Sequence, residues 1–163
     1  MSEDPLYALV EIPKGSRNKY EFDPKLGRIV LDRTLWTSVV YPADYGFLID
    51  TLGRDGDPVD ALVLVAAPTF AGCVIPVDPI GVFEMRDEAG EDDKVVCVPP
   101  GDPTWGRFAD ISDIRDSLLD EISHFFDIYK DLERGKRTTV IGWHGREYAE
   151  EVVAEGRRAH RTG

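Results

Sequence analysis

The stretch Asp55-Gly56-Asp57-Pro58-Val59-Asp60-Ala61-Leu62-Val63-Leu64-Val65 decides how this chain is read. Its first six residues hold three carboxylates in a turn, with Gly56 free to bend the backbone and Pro58 stiffening it. Its last five residues form an unbroken apolar run of strand length. An acidic turn that feeds a buried strand puts carboxylate oxygens at the rim of a sheet, where they can face a hard cation such as Mg2+. Taken alone, the turn also reads as a solvated acidic hairpin. An EF-hand calcium loop is excluded, because Val59 stands where that loop needs another oxygen ligand.

Outward from this stretch, the first two-thirds of the chain reads as strands. Leu6 to Ile12 alternates loosely, Tyr20-Glu21-Phe22 is a short strand, and Arg28 to Asp32 follows the turn Asp23-Pro24-Lys25-Leu26-Gly27. Further strands are Leu62 to Ala66, Gly81 to Met85 and Lys94 to Val98. The period then changes. Leu118, Ile122, Phe125, Tyr129 and Leu132 recur at helical spacing within Ile114 to Leu132, with Ser112 or Asp113 as cap and Gly135 as stop. Val140 to Trp143 reads as a last short strand, and Glu147 to Arg158 as a second helix with Tyr148, Val152 and Val153 inward. The tail from Arg157 to Gly163 is basic and reads as frayed. Strands first and helices after predict an α+β fold: a small β barrel or curled sheet with two helices packed on it.

The 163 residues suit one domain with one core, spanning 1–163. With 31 acidic against 19 basic side chains, the formal net charge is -12, which repels nucleic acid and anionic membrane over most of the surface. No apolar run approaches the roughly 20 residues of a membrane-spanning helix. The start, Met1-Ser2-Glu3-Asp4-Pro5, is acidic and lacks a signal-peptide pattern, so a cytoplasmic address is expected. Cys73 and Cys97 sit singly in apolar settings and read as small buried hydrophobes. His124, His144 and His160 show no metal spacing, which argues against zinc.

A second acidic loop, Asp87-Glu88-Ala89-Gly90-Glu91-Asp92-Asp93-Lys94, also lies between strands. Two such loops brought to one barrel rim repel unless cations sit between them, so convergence predicts metal binding, with more than one ion. The donors are all oxygens, which selects Mg2+ first, with Mn2+ as a substitute and Ca2+ as a competitor. Mg2+ commonly shares its shell with phosphate. Lys19, Arg33, Lys94 and Lys130 are cations suited to phosphate oxygens, and Tyr41 and Tyr45 carry hydroxyls that can donate to them. Each is also read, singly, as surface charge or core packing.

Several motifs occur together in order: Glu11-Ile12-Pro13, Lys19-Tyr20-Glu21, Asp32-Arg33, Tyr41-Pro42 with Tyr45-Gly46, Asp55 to Asp60, Asp87 to Lys94, and His124-Phe125-Phe126 with Tyr129-Lys130-Asp131-Leu132-Glu133. From about Leu6 to Glu155 the chain resembles a family I soluble inorganic pyrophosphatase of bacterial type. The resemblance implies a five-stranded OB-type β barrel with two main flanking helices. It implies hydrolysis of inorganic pyrophosphate to two phosphates with several Mg2+ per site, Mn2+ as substitute and Ca2+ as inhibitor. By resemblance, Asp55, Asp60, Asp87, Asp92 and Glu21 bind metal and Asp57 is the general base. Lys19, Arg33, Tyr45, Lys94, Tyr129 and Lys130 bind phosphate, while Glu11 and Tyr41 support the site. A homohexamer is implied as well. The rival readings are a non-catalytic Mg2+ or phosphate-binding module and an OB-type nucleic-acid binder, the latter opposed by the net charge.

Overall fold

The computed structural model describes residues 4–163, so Met1, Ser2 and Glu3 of the acidic start lie outside the described residues. The strands are β1 (Tyr7–Ile12), β2 (Asn18–Asp23), β3 (Arg28–Thr34), β4 (Asp44–Leu48), β5 (Asp60–Val63), β6 (Val74–Pro76), β7 (Asp78–Asp87), β8 (Gly90–Glu91), β9 (Lys94–Val98) and β10 (Thr138–His144). The helices are α1 (Asp116–Ile128) and α2 (Arg146–Thr162). An eight-stranded sheet runs β10-β7-β9-β5-β4-β1-β6, with β8 on β7, while β2 and β3 form a separate hairpin. The α+β expectation therefore holds. The sheet is consistent with an OB-type barrel, although its outer strands β6 and β10 do not pair to close it. It has more strands than the five the resemblance implies.

The apolar runs follow from coverage on both faces. Ala61 and Val63 of β5 and Val95 and Cys97 of β9 pack with Ala149 and Val153 of α2. Their neighbours Leu62, Val96 and Val98 pack with Leu118, Ile122, Phe125 and Phe126 of α1. A strand buried on both faces loses its polar alternation and reads as continuous apolar sequence. Among the described residues only β5 and β9 pair in parallel; the other paired strands are antiparallel.

Local irregularities aim side chains. The register of β1 slips between Val10 and Ile12, so Glu11 is an extra residue, and Val10 and Ile12 enter different cores. In β3 the slip falls at Asp32, since Lys19 opposes Arg33 while Tyr20 opposes Leu31. Strand β4 crosses β1 so closely that a Cβ at Gly46 would lie 1.8 Å from the Leu9 carbonyl oxygen.

Several boundaries differ from the sequence reading. Helix α1 starts at Asp116, because Ser112 and Asp113 belong to a short 3-10 turn of their own. Asp110 caps that turn, and Asp113 bonds back to the Asp110 backbone, so the chain is committed to a turn before the helix begins. The helix ends at Ile128, where the Thr138 hydroxyl donates to the Phe126 and Asp127 carbonyls. Leu132 is consequently exposed, and Gly135 lies beyond the helix in a turn. Helix α2 continues to Thr162, so the basic tail is helical rather than frayed. Tyr148 points outward and stacks on His144, while Ala149, Val153 and Gly156 face inward. Cys97 is buried as expected and Cys73 only partly so. Strands β4 and β6 were not anticipated: β4 is short and aromatic, and β6 ends in Pro76, which suits an edge.

Asp110 also ties the 3-10 turn to α2. Its Oδ1 accepts the Arg146 backbone N–H at 2.8 Å, and its Oδ2 accepts from the Ser112 N–H and hydroxyl. These bonds hold its carboxyl near pKa 2, with the Ser112 hydroxyl the largest contributor. A depressed carboxyl stabilises the fold above its unfolded value near 3.8, and that contribution disappears as pH falls through about 2. Asp110→Ala is expected to lower stability by about 1 kcal/mol at neutral pH. Urea unfolding checks this, and the difference from wild type should shrink as the pH drops below the range where Asp110 is ionised.

Candidate active site

The parallel pairing of β5 and β9 sets Ala61 opposite Val95, so the residues that open the two strands, Asp60 and Lys94, lie side by side. Lys94 is 1% exposed. Its ammonium donates to Asp92 at 2.9 Å, to the Tyr45 hydroxyl at 2.9 Å and to Asp60 at 3.4 Å. The rings of Tyr45 and Phe126 lie 5.1 and 5.4 Å from it. Burial works against the Lys94 charge, but Asp60 and Asp92 outweigh it and hold the ammonium well above its ordinary pKa.

The carboxylates are less comfortable. Burial pushes Asp60 up to about 6, with Lys94 pulling it down and Asp92 pushing it up. Glu11, on the β1 bulge, is pushed up to about 7 by burial, offset by the Phe22 N–H that it accepts at 2.8 Å and aggravated by Asp60. Burial raises the phenols of Tyr41, Tyr45 and Tyr129 above their ordinary value, which keeps them neutral donors near physiological pH. The three phenol-bearing rings lie on one aromatic bed: Tyr41 is 5.7 Å from Tyr45 and 4.6 Å from Phe125, which stacks on Tyr129 at 5.1 Å.

The motif loop is held by its own backbone. Gly56 has φ +87, a conformation that favours glycine. Asp55 accepts the Asp57 N–H at 3.0 Å, and the Asp57 carbonyl accepts the Gly53 N–H at 2.7 Å. The Thr51 hydroxyl accepts the Val59 N–H and donates to the Leu48 carbonyl. Helix α2 backs the loop: the Leu52 N–H donates to the Gly156 carbonyl at 3.0 Å, and a Cβ at Gly156 would lie 3.0 Å from Val59. Asp55 and Asp57 are exposed on this loop. Asp55, Asp60 and Asp92 line one cavity of about 560 Å³ between the two acidic loops and α2.

The remaining candidates fall into two further groups. Lys130, 7% exposed, reaches Asp87 at 3.8 Å and Glu88 at 3.7 Å. On the β2–β3 hairpin, Lys19 pairs with Glu21 and Asp32, and Arg33 pairs with Asp32 and Glu133. Asp93, given no role from sequence, accepts the Met85 N–H in the β7–β9 connection. Two further carboxylates join these groups, Glu88 on Lys130 and Glu133 on Arg33. In the sequence nothing sets Glu88 apart from its neighbour Asp87, and Glu133 stands in a motif whose spacing shows no partner.

Among the described residues, no three His, Cys, Asp or Glu side chains already stand together as a metal-holding set. The donor chemistry nevertheless fits hard cations. Asp55, Asp57, Asp60, Asp87, Asp92, Glu11 and Glu21 outnumber Lys19, Arg33, Lys94 and Lys130. The raised pKa values of Asp60 and Glu11 mark charge that a cation would relieve.

The sequence matches the profile of the inorganic pyrophosphatase family over residues 8–161. The inorganic pyrophosphatase of Methanosarcina acetivorans is 52% identical over 149 residues, covering 91% of this chain and 88% of that protein. That of Streptomyces coelicolor is 55% identical over 144 residues, covering 88% of each. Among solved structures, the inorganic pyrophosphatase from Thermus thermophilus superposes with a TM-score of 0.95 at 41% identity, covering 99% of this chain and 94% of that one. The Helicobacter pylori inorganic pyrophosphatase gives 0.94 at 42%, covering 98% and 95%.

Lys94→Met would leave Asp60 and Asp92 facing each other without their shared cation. In buffer containing a metal chelator, stability is expected to fall by about 3 kcal/mol. Urea unfolding checks this; a loss under 1 kcal/mol would show that the cluster is already balanced by water.

Proposed function

This chain belongs to the inorganic pyrophosphatase family, and on that premise we propose that it hydrolyses inorganic pyrophosphate to two phosphates with Mg2+. The observation that carries the reading is the buried Lys94 ammonium, shared by Asp60, Asp92 and the Tyr45 hydroxyl at a rim of hard oxygen donors. Such a rim offers both partners a phosphoanhydride needs: carboxylates for cations, and fixed donors for phosphate oxygens.

In this reading Asp55, Asp60, Asp87, Asp92 and Glu21 would hold the ions. Bound there, Mg2+ supplies positive charge that acidifies a water and neutralises phosphate oxygens. Lys19, Arg33 and Lys130 bind phosphate oxygens as cations, Lys94 would join them when bound ions draw Asp60 and Asp92 off its ammonium, and Tyr45 and Tyr129 bind them as neutral phenol donors. Tyr41 and Glu11 support the rings and the hairpin. Asp57, exposed on the stiff turn, takes the proton from the attacking water as oxygen bonds to one phosphorus and the bond to the bridging oxygen breaks. The leaving phosphate departs on that bridging oxygen, its charge held by the lysines and arginine.

The proposal extends to a single domain over residues 1–163, a cytoplasmic address and assembly as a homohexamer. Mn2+ is taken as a substitute ion and Ca2+ as an inhibitor.

Phosphate release from pyrophosphate, set against ATP, with Mg2+, Mn2+ and Ca2+ in turn, tests the activity. Turnover is expected with Mg2+ on pyrophosphate, and its absence with every metal would sink the reading. Asp57→Asn is expected to lower kcat on the order of 10²- to 10⁴-fold while Mg2+ still binds. Unchanged turnover in that variant would reassign the base. Sedimentation analysis reads the oligomeric state directly, and a monomer at assay concentration would remove the hexamer from the proposal.

A further inference from the structure

The β2–β3 hairpin carries Lys19 and Arg33 yet shares no strand ladder with the main sheet. Glu11 holds the β2 backbone at Phe22 and Tyr20 packs on the α1 core, but these ties lie on β2; the Arg33 guanidinium, on β3, is fixed by a different contact. Glu133 lies in the turn after α1 and meets Arg33 across 100 residues of sequence. One carboxylate oxygen accepts from Arg33 Nε at 2.6 Å, the other from Nη2 at 3.2 Å. This is a two-pronged fork, the geometry in which a carboxylate orients a guanidinium as well as neutralising it. Glu133 is 13% exposed and Arg33 28%, so the pair is shielded from solvent far more than a surface ion pair.

The donors left over show what the fork achieves. A guanidinium has five N–H groups. Glu133 takes two and Asp32 accepts from Nη1, which leaves one N–H on each Nη nitrogen. The turn that presents Glu133 also presents Tyr129 and Lys130, and the Glu133 N–H donates to the Lys130 carbonyl at 2.9 Å. A single short segment therefore carries two donors for phosphate and the clamp for a third. Asp32, the other carboxylate on Arg33, sits in the hairpin itself and cannot set the hairpin against the body.

We propose that Glu133 is a positioning residue: it grips Arg33 from the body side and turns the two free Nη N–H groups toward the phosphate bound by Tyr129 and Lys130. This rests on the pyrophosphatase reading of the site. Glu133 touches neither substrate nor metal in the proposal and acts only through Arg33.

The test is a double-mutant cycle of Glu133→Gln and Arg33→Lys, read in kcat, KM and urea stability on the full chain with Mg2+ and pyrophosphate. Glutamine keeps the size but replaces one acceptor with a donor, which breaks the fork. Glu133→Gln is expected to lower kcat/KM on the order of 10²-fold in the wild-type background. In the Arg33→Lys background, where no fork exists, the same change should cost no more than about twofold. Glu133→Asp keeps the charge but is one methylene short; it is expected to fall between wild type and Glu133→Gln, and it serves for the cycle if the glutamine variant does not fold. An equal loss in both backgrounds would overturn the proposal. So would a loss of urea stability with kcat/KM unchanged, which is the signature of a purely structural clamp. Failure of the wild type to turn over pyrophosphate is a separate outcome, and it would overturn the functional reading together with this one.

Discussion

The buried ammonium of Lys94 is the constraint around which the rest is arranged. Taking a lysine out of water is costly unless anions surround it. Here two carboxylates and a phenol do so. Meeting that demand fixes three separate strands at one point, since Asp60 opens β5, Lys94 opens β9 and Tyr45 lies within β4. The parallel β5–β9 pair is what brings the two strand openings together; an antiparallel pair would have set Asp60 beside the far end of β9. The cluster is polar and nearly closed, and both cores lean against it. Phe126 of the α1 core approaches the same ammonium, and Val95, next to Lys94, belongs to the α2 core.

Bulges do the fine aiming. In a regular strand, side chains alternate faces, and a charged residue between Val10 and Ile12 would share its face with Leu9 and its fellows. The extra residue at Glu11 breaks that rule, frees its carboxylate to take the Phe22 N–H, and lets the strand feed both cores. Asp32 does the same on the hairpin, where it lies between Lys19 and Arg33. Neither device adds hydrophobic burial. Both convert a small local loss of ladder bonding into a directed charge.

Much of this was legible from sequence. The period of Leu118, Ile122 and Phe125 marks the buried face of α1, and the motif Asp55 to Asp60 marks a rim loop. What escaped notice has physical causes. The start of α1 is set by the separate 3-10 turn that Asp110 caps, and its end by the Thr138 hydroxyl, which donates to its last carbonyls; both residues lie outside the helical pattern. Strand β4 is short and aromatic, and its one glycine is required by the close approach of Leu9, a long-range contact with no local sign. Tyr148 fits the apolar stripe of α2 by spacing, yet its ring finds His144 instead of the core. The site residues were read from motifs, which name side chains without their partners. Glu133 stood in such a motif, but its partner Arg33 is too distant in sequence for any pattern to join them.

The contact between Leu52 and Gly156 bears on how the protein comes to exist on the ribosome. The acidic loop is synthesised early, whereas the helix that backs it emerges far later, after β10. Strand β7 likewise waits for β10 on its open edge and for α2 on its face. A nascent chain that has released the first acidic loop therefore holds its carboxylates with neither their backing helix nor Lys94 in place. Non-local contacts of this kind must await loop closure before they stabilise anything. Until those contacts form, the carboxylates of the loop stay in water, where their mutual repulsion is weak, and they gain their fixed directions only with the closing helix.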